Sequence, residues 1–169
     1  MDYRLERDLI GEKRVPKDAY YGIHSLRAYE NFRITGLKIN GELIKAVCEV
    51  KKAAAISNKE AGVLDGHIAN AIIQACDEII GGRLHDQFMI DPIQGGAGTS
   101  INMNANEVIA NRAIEILGGE KGDYSIVHPI DHVNKSQSTN DVIPSAGKIA
   151  TIRLLGRAIG TLKRLNTAL

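Results

Sequence analysis

Tryptophan is absent from the 169 residues, and aromatic side chains make up only 4% of them. Sheet sandwiches and barrels draw on aromatic and β-branched residues to fill a pleated, half-buried surface, so this shortage favours close-packed helices instead. Cysteine is scarce as well. Cys48 and Cys76 are the only two; they form no CxxC pair and have no histidine at ligand spacing, which leaves buried free thiols as the expectation. No apolar run approaches the ~18 residues of a membrane span, and the opening MDYRLERD is too charged for a secretory leader. A reducing cytoplasm is the expected compartment. Charge of one sign is missing too: Lys and Arg total 21 against 20 for Asp and Glu, so nothing electrostatic draws the chain to nucleic acid or to an anionic membrane. The longest basic run, Lys51-Lys52, fits a solvated helix face.

With 44% hydrophobic residues the chain can bury one core, or one domain and part of another. The loose apolar–charged alternation of residues 3–15 around Gly11 predicts a short β-hairpin or extended arm. In residues 15–22, Asp18 is placed to cap a short helix and Gly22 to end it, with His24, Ser25 and Arg27 following on a loop. Leu43, Val47, Val50 and Ala54 then mark an amphipathic helix over 41–60. Asp65-Gly66 breaks it, and Ile68, Ile72, Ala75 and Ile79 mark a second helix that Gly81-Gly82 stops. Such a pair packs antiparallel. Residues 83–90 read as extended or irregular.

Two stretches carry chemistry. In the first, Asp91 to Ser100 (DPIQGGAGTS), Gly95, Gly96 and Gly98 let a ligand approach the main chain and deliver Thr99 and Ser100 to a helix expected from about Asn104 to Leu117. The GK[ST] ending of a phosphate-binding P-loop is absent. Asn102, Asn104 and Asn106 near that helix start suggest side chains bridging loops or reaching a polar site. In the second, His128 to Pro144 (HPIDHVNKSQSTNDVIP), Ser138, Thr139 and Asn140 stand where another helix begins, with Pro144 expected in its first turn. Unpaired N–H groups, the helix dipole and the two hydroxyls suit an anion such as a carboxylate. The same residue types are ordinary N-caps, so Ser138, Thr139, Asn140 and the following Asp141 alone also fit plain capping, as His24 and Arg27 alone fit structural roles. From Ala150 a stripe of Leu154, Leu155, Ala158, Leu162, Leu165 and Leu169 approaches a heptad seam that needs a bundle partner. Pattern and spacing together predict a mainly α protein: a small N-terminal helical domain with a short β-hairpin or extended arm (1–140), followed by the start of a long-helix bundle domain (141–169) that continues beyond Leu169.

The blocks VPKDAYYGIHSLRA (15–28), GGAGTSINMNANEVIANRAIEILG (95–118) and HPIDHVNKSQSTNDVIPSA (128–146), in this order and followed by the bundle helix, resemble the aspartase/fumarase superfamily over nearly the whole chain. GAGTS-x-NMN with YYG-x-H-S-L-R-A is similar to its ammonia-eliminating branch, whereas fumarase relatives usually read SGTQ-x-NMN. Ile130 departs from the HPND of fumarases and puts their secondary dicarboxylate site in doubt. The resemblance implies the N-terminal part of a homotetrameric lyase, with no cofactor and no metal, that reversibly eliminates ammonia from L-aspartate to give fumarate through an aci-carboxylate. It implies that Thr99, Ser138 and Thr139 bind the substrate carboxylate and Asn140 lies near the amino group, with His24, Arg27, Ser100 and Asn102 in support. The base serine, in a GSS-x-MP-x-K-x-NP loop, is expected beyond Leu169, as is a Thr-His pair, so these residues alone are expected to be inactive. A fumarate hydratase or another lyase of the superfamily is the rival enzyme, and a non-catalytic helical interaction module is the rival from another class.

Overall fold

The alternation around Gly11 closes as an antiparallel hairpin in the computed structural model, which describes residues 2–169. Strand β1 (Tyr3–Arg7) pairs with β2 (Glu12–Pro16), Tyr3 opposite Pro16 and Arg7 opposite Glu12. Asp8 holds the turn, its Oδ1 accepting from the N–H groups of Ile10 and Gly11 at 2.9 and 3.0 Å. Arg4 then fixes the segment after β2: its guanidinium donates to the carbonyls of Pro16, Ala19 and Tyr21 at 3.0, 2.7 and 2.8 Å. Residues 17–22 are consequently turns, and the expected short helix does not form there. Gly22 precedes helix α1 (Ile23–Asn31), so His24, Ser25 and Arg27 lie on a helix where a loop was expected.

Helices α2 (Gly41–Glu60) and α3 (Gly66–Ile80) form the antiparallel pair, each started by a side-chain cap. Asn40 accepts from Glu42 N–H at 2.9 Å, and Asp65 from His67 N–H at 2.8 Å. Between Ile80 and Ile90 the irregular segment contains one short 3₁₀ turn, His85–Gln87. Helix α4 (Thr99–Ile116) packs on α3, and the first part of α5 (Thr139–Ala168) packs on α2. Val47, Ala69, Ile72, Ile79, Val108, Ile109 and Val127 are fully enclosed between these helices. Cys48 and Cys76 lie among them as free thiols, and burial pushes Cys76 up to about 12, so it stays protonated.

Three further details differ from the sequence-based expectation. Helix α4 begins five residues before Asn104, because it is buried on nearly every side and carries little of the amphipathic period that would mark its start. Pro144 lies in the second turn of α5 and supplies no N–H to the carbonyl of Asn140. Lys51, expected on a solvated face, is completely buried. Beyond Ala150 the apolar residues of α5 are exposed, Ile152 at 70% and Leu162 at 61%.

Replacement of Ile72 by Ala is expected to cost ~2–5 kcal/mol of unfolding free energy. Leu155→Ala, on the uncovered face of α5, is expected to change this chain by under ~0.5 kcal/mol. Urea unfolding of the two variants checks the pair, and comparable losses would place Leu155 in the core.

Candidate active site

Both polar helix starts meet. Gly98, the residue before α4, adopts φ 87°, and a Cβ placed on it would come within 2.8 Å of Ile143 Cγ2 in the first part of α5. Only a glycine allows both that backbone and that approach, and the contact brings Thr99 and Thr139, the first residues of α4 and α5, to one place. Since Gly98 has no side chain to cap with, Gln94 reaches over from the loop, its Oε1 accepting from Ile101 N–H at 2.9 Å. Asp91 anchors the other end of the loop by accepting from the N–H groups of Thr35 and Gly36 at 2.7 and 2.9 Å. At the second helix start Ser138 Oγ accepts from Asn140 N–H at 3.2 Å. Thr99, Ser138 and Asn140 are exposed, and Thr139 and Ser100 half-buried.

Beneath this rim is a layer of amides. Asn102 Nδ2 donates to Thr139 Oγ1 at 3.2 Å and to Asn134 Oδ1 at 3.0 Å; Asn106 Nδ2 donates to the same Asn134 oxygen at 3.2 Å. Asn134 in turn donates to the carbonyl of Gln137 at 3.0 Å, tightening the turn that leads into α5. Thr99, Ser138, Thr139, Asn140 and Asn102 therefore form one cluster, with two helix dipoles bringing partial positive charge to it. The asparagine run expected to bridge segments does so from inside α4.

His24 and Arg27 lie elsewhere. Glu107, roughly two turns along α4 from Thr99 and fully buried, accepts from the N–H groups of Gly22, His24 and Ser25 at 2.8, 2.9 and 3.0 Å. It replaces the local cap that α1 lacks, and Gly22 is required because a Cβ there would lie 2.8 Å from the Glu107 carboxyl carbon. His24 Nδ1 also meets Glu107, at 3.0 Å, and this hydrogen bond raises the His24 pKa above 6.5 against the opposing effect of burial. Arg27 grips Asp8 through Nε and Nη2 at 2.7 and 3.0 Å, closing α1 onto the hairpin turn. Both residues serve the hairpin–α1 unit.

Sequence reasoning missed Asn134, Gln137, Lys51 and Glu107. For Lys51 a signal existed: it stands four residues after Val47 and four before Ala55, both buried on the inner face of α2. Glu107, inside an apolar helical pattern, gave none. Among the described residues no group of three or more His, Cys, Asp or Glu side chains is placed to hold a metal ion. No described helix is long and apolar enough to cross a membrane.

The family described as lyase matches residues 11–169. The aspartate ammonia-lyase of Bacillus sp is 59% identical over 162 residues, covering 96% of this chain and 35% of the relative. That of Escherichia coli (strain K12) is 50% identical over 165 residues, covering 96% and 34%. Among solved structures, a fumarate lyase:delta crystallin from Brucella melitensis superposes with a TM-score of 0.95 at 50% identity, over 98% of this chain and 38% of that one. A class II fumarase from Schistosoma mansoni gives 0.83 at 33% identity, over 88% and 32%. The chain spans about 35% of the length of the curated relatives it matches.

The tie between His24 and Glu107 carries a pH dependence. A raised histidine pKa adds stability that is complete below the unfolded value of 6.5 and is lost as pH rises through the folded one. The stability difference between the native chain and His24→Ala is therefore expected to shrink from mildly acidic to mildly alkaline pH, as read from thermal melts. A difference that grows with pH would reverse the assignment.

Proposed function

The chain belongs to the lyase family, of the aspartase/fumarase type, and from that premise we propose that it is the N-terminal part of an enzyme that eliminates ammonia from L-aspartate to give fumarate. The observation that carries the reading is the meeting of the α4 and α5 starts, joined by the Asn102–Thr139 hydrogen bond of 3.2 Å. A proton on carbon beside a carboxylate is very weakly acidic, and its removal puts a second negative charge on that carboxylate. Fixed donors aimed at the extra charge lower the barrier most. Thr99, Ser138 and Thr139 bring hydroxyl groups to the junction of the two helix starts, and the α4 and α5 dipoles add to them.

Asn140 suits the other end of the substrate. Its side-chain carbonyl is an acceptor at the exposed start of α5 and suits an ammonium group. Ser100 and Asn102 support the carboxylate side. For His24 and Arg27 the bonds to Glu107 and Asp8 support a part in holding α1 and the hairpin in place. The ammonia-eliminating branch is preferred over hydration because the ammonia-lyase relatives are 50% identical or more, whereas the fumarase structure is at 33%. The base that removes the proton is expected on a serine loop of the full-length protein, outside these residues. The exposed stripe of α5 is assigned to a helical bundle that joins subunits into a homotetramer in the cytoplasm, with residues 1–140 as the N-terminal domain and 141–169 as the first part of that bundle.

The full-length protein is expected to form fumarate from L-aspartate, followed by ultraviolet absorbance. Thr99→Ala, Ser138→Ala and Thr139→Ala are each expected to lower kcat/KM by ~10²–10³-fold. Turnover of L-malate alone would move the assignment to a hydratase. Variants that lose only about 1 kcal/mol of stability and keep full turnover would favour an interaction module.

A further inference from the structure

Lys51 is completely buried, yet no described carboxylate pairs with it. Its Nζ donates to Asn134 Oδ1 at 3.3 Å and to Gln137 Oε1 at 3.4 Å, both long for contacts of an ammonium. Among the described residues, the groups that meet it are uncharged. Cys48 on α2 and Cys76 on α3 are thiols that burial keeps protonated; Asn134 and Gln137 come from the turn before α5, and Asn102 and Asn106 from α4. The amide oxygens of Asn102, Asn104 and Asn106 are themselves buried without a donor. Burial brings the Lys51 ammonium down to about 8, so it is mostly charged at neutral pH.

A lone buried cation is costly in a fold unless an anion comes to meet it. The hydrogen bonds around Lys51 lead to one exit. Asn134 Oδ1 is oriented by Lys51 and accepts one hydrogen of Asn102 Nδ2; the other hydrogen goes to Thr139 Oγ1. With its acceptor side filled by Asn102, the Thr139 hydroxyl is left to donate outward, where the proposed function places the substrate carboxylate. We propose that Lys51 is a positioning residue: acting through Asn134 and Asn102, it fixes the Thr139 hydroxyl as a donor and sets a buried positive charge behind the carboxylate that becomes doubly negative in the reaction. The charge of Lys51 is then balanced most fully when the extra charge develops, so its effect falls on kcat more than on KM. This inference rests on the lyase reading.

The test uses the full-length protein with L-aspartate. Lys51→Met keeps the unbranched stem and removes the charge, while Asn134 Oδ1 retains its two asparagine donors. Tetramer assembly and Tm are checked first. Lys51→Met is expected to lower kcat ~10–100-fold, less than loss of a direct donor, with KM moved far less, and to lack the alkaline fall in kcat that is expected of the native enzyme above about pH 8. Asn102→Asp is nearly isosteric but puts an acceptor against Thr139 Oγ1, turning the hydroxyl inward; the same kcat loss is expected, and this variant decides alone if Lys51→Met does not assemble. Unchanged kcat per assembled tetramer in Asn102→Asp, or a lowered Tm with unchanged kcat and an intact alkaline limb in Lys51→Met, overturns the proposal while leaving the lyase assignment standing. A native protein that turns over neither L-aspartate nor L-malate overturns both.

Discussion

Glu107 has no access to water, and a buried carboxylate is tolerated only when the protein supplies the hydrogen bonds that water would. That demand organises the N-terminal half of the molecule. The N–H groups of Gly22, His24 and Ser25 converge on Glu107, so the start of α1 is held by the middle of α4. Glu6 repeats the device from the hairpin, accepting from Ile23 N–H at 2.8 Å and from the Tyr124 hydroxyl at 3.1 Å. Burial raises its pKa against the counteracting charge of Arg4. Asn111, further along α4, donates to the Tyr20 carbonyl at 2.8 Å and accepts from Gly122 N–H at 2.7 Å. A helix enclosed on nearly every side thus serves as the post to which segments distant in sequence are tied.

The same constraint builds the candidate site. Near its start α4 carries Asn102 and Asn106, whose amides reach Asn134 and Thr139 and set the entry of α5. The bonds that the amide N–H groups of Asn102 and Asn106 donate also link Thr139, through Asn134, to Lys51. The two ends of α4 divide the work. Glu107 and Asn111 hold the hairpin–α1 unit, and the first turn meets the start of α5.

Much of the fold was legible in the sequence because its cues are local. The apolar spacing of Leu43, Val47, Val50 and Ala54 and of Ile68, Ile72, Ala75 and Ile79 marked α2 and α3, Asp65-Gly66 marked the break between them, Gly81-Gly82 marked an end, and the alternation around Gly11 marked the hairpin. The α4 start and the Gly22 position were misjudged because both are set by partners far along the chain: Gln94 and Ile143 in the first case, Glu107 in the second. Pro144 belongs to neither group. The start expected at Ser138–Asn140 is the one observed, and counting from Thr139 places Pro144 in the second turn.

By itself the sequence determined the helical class, the order of the elements and the polar helix start at Ser138–Asn140, since propensity, capping and short motifs act over a few residues. Only the tertiary structure decided that this start meets that of α4, that His24 and Arg27 belong to the hairpin clamp, and that Lys51 lies buried under Thr139. Each of these depends on which face of a helix is covered, and that is settled by hydrogen bonds and packing between residues tens of positions apart.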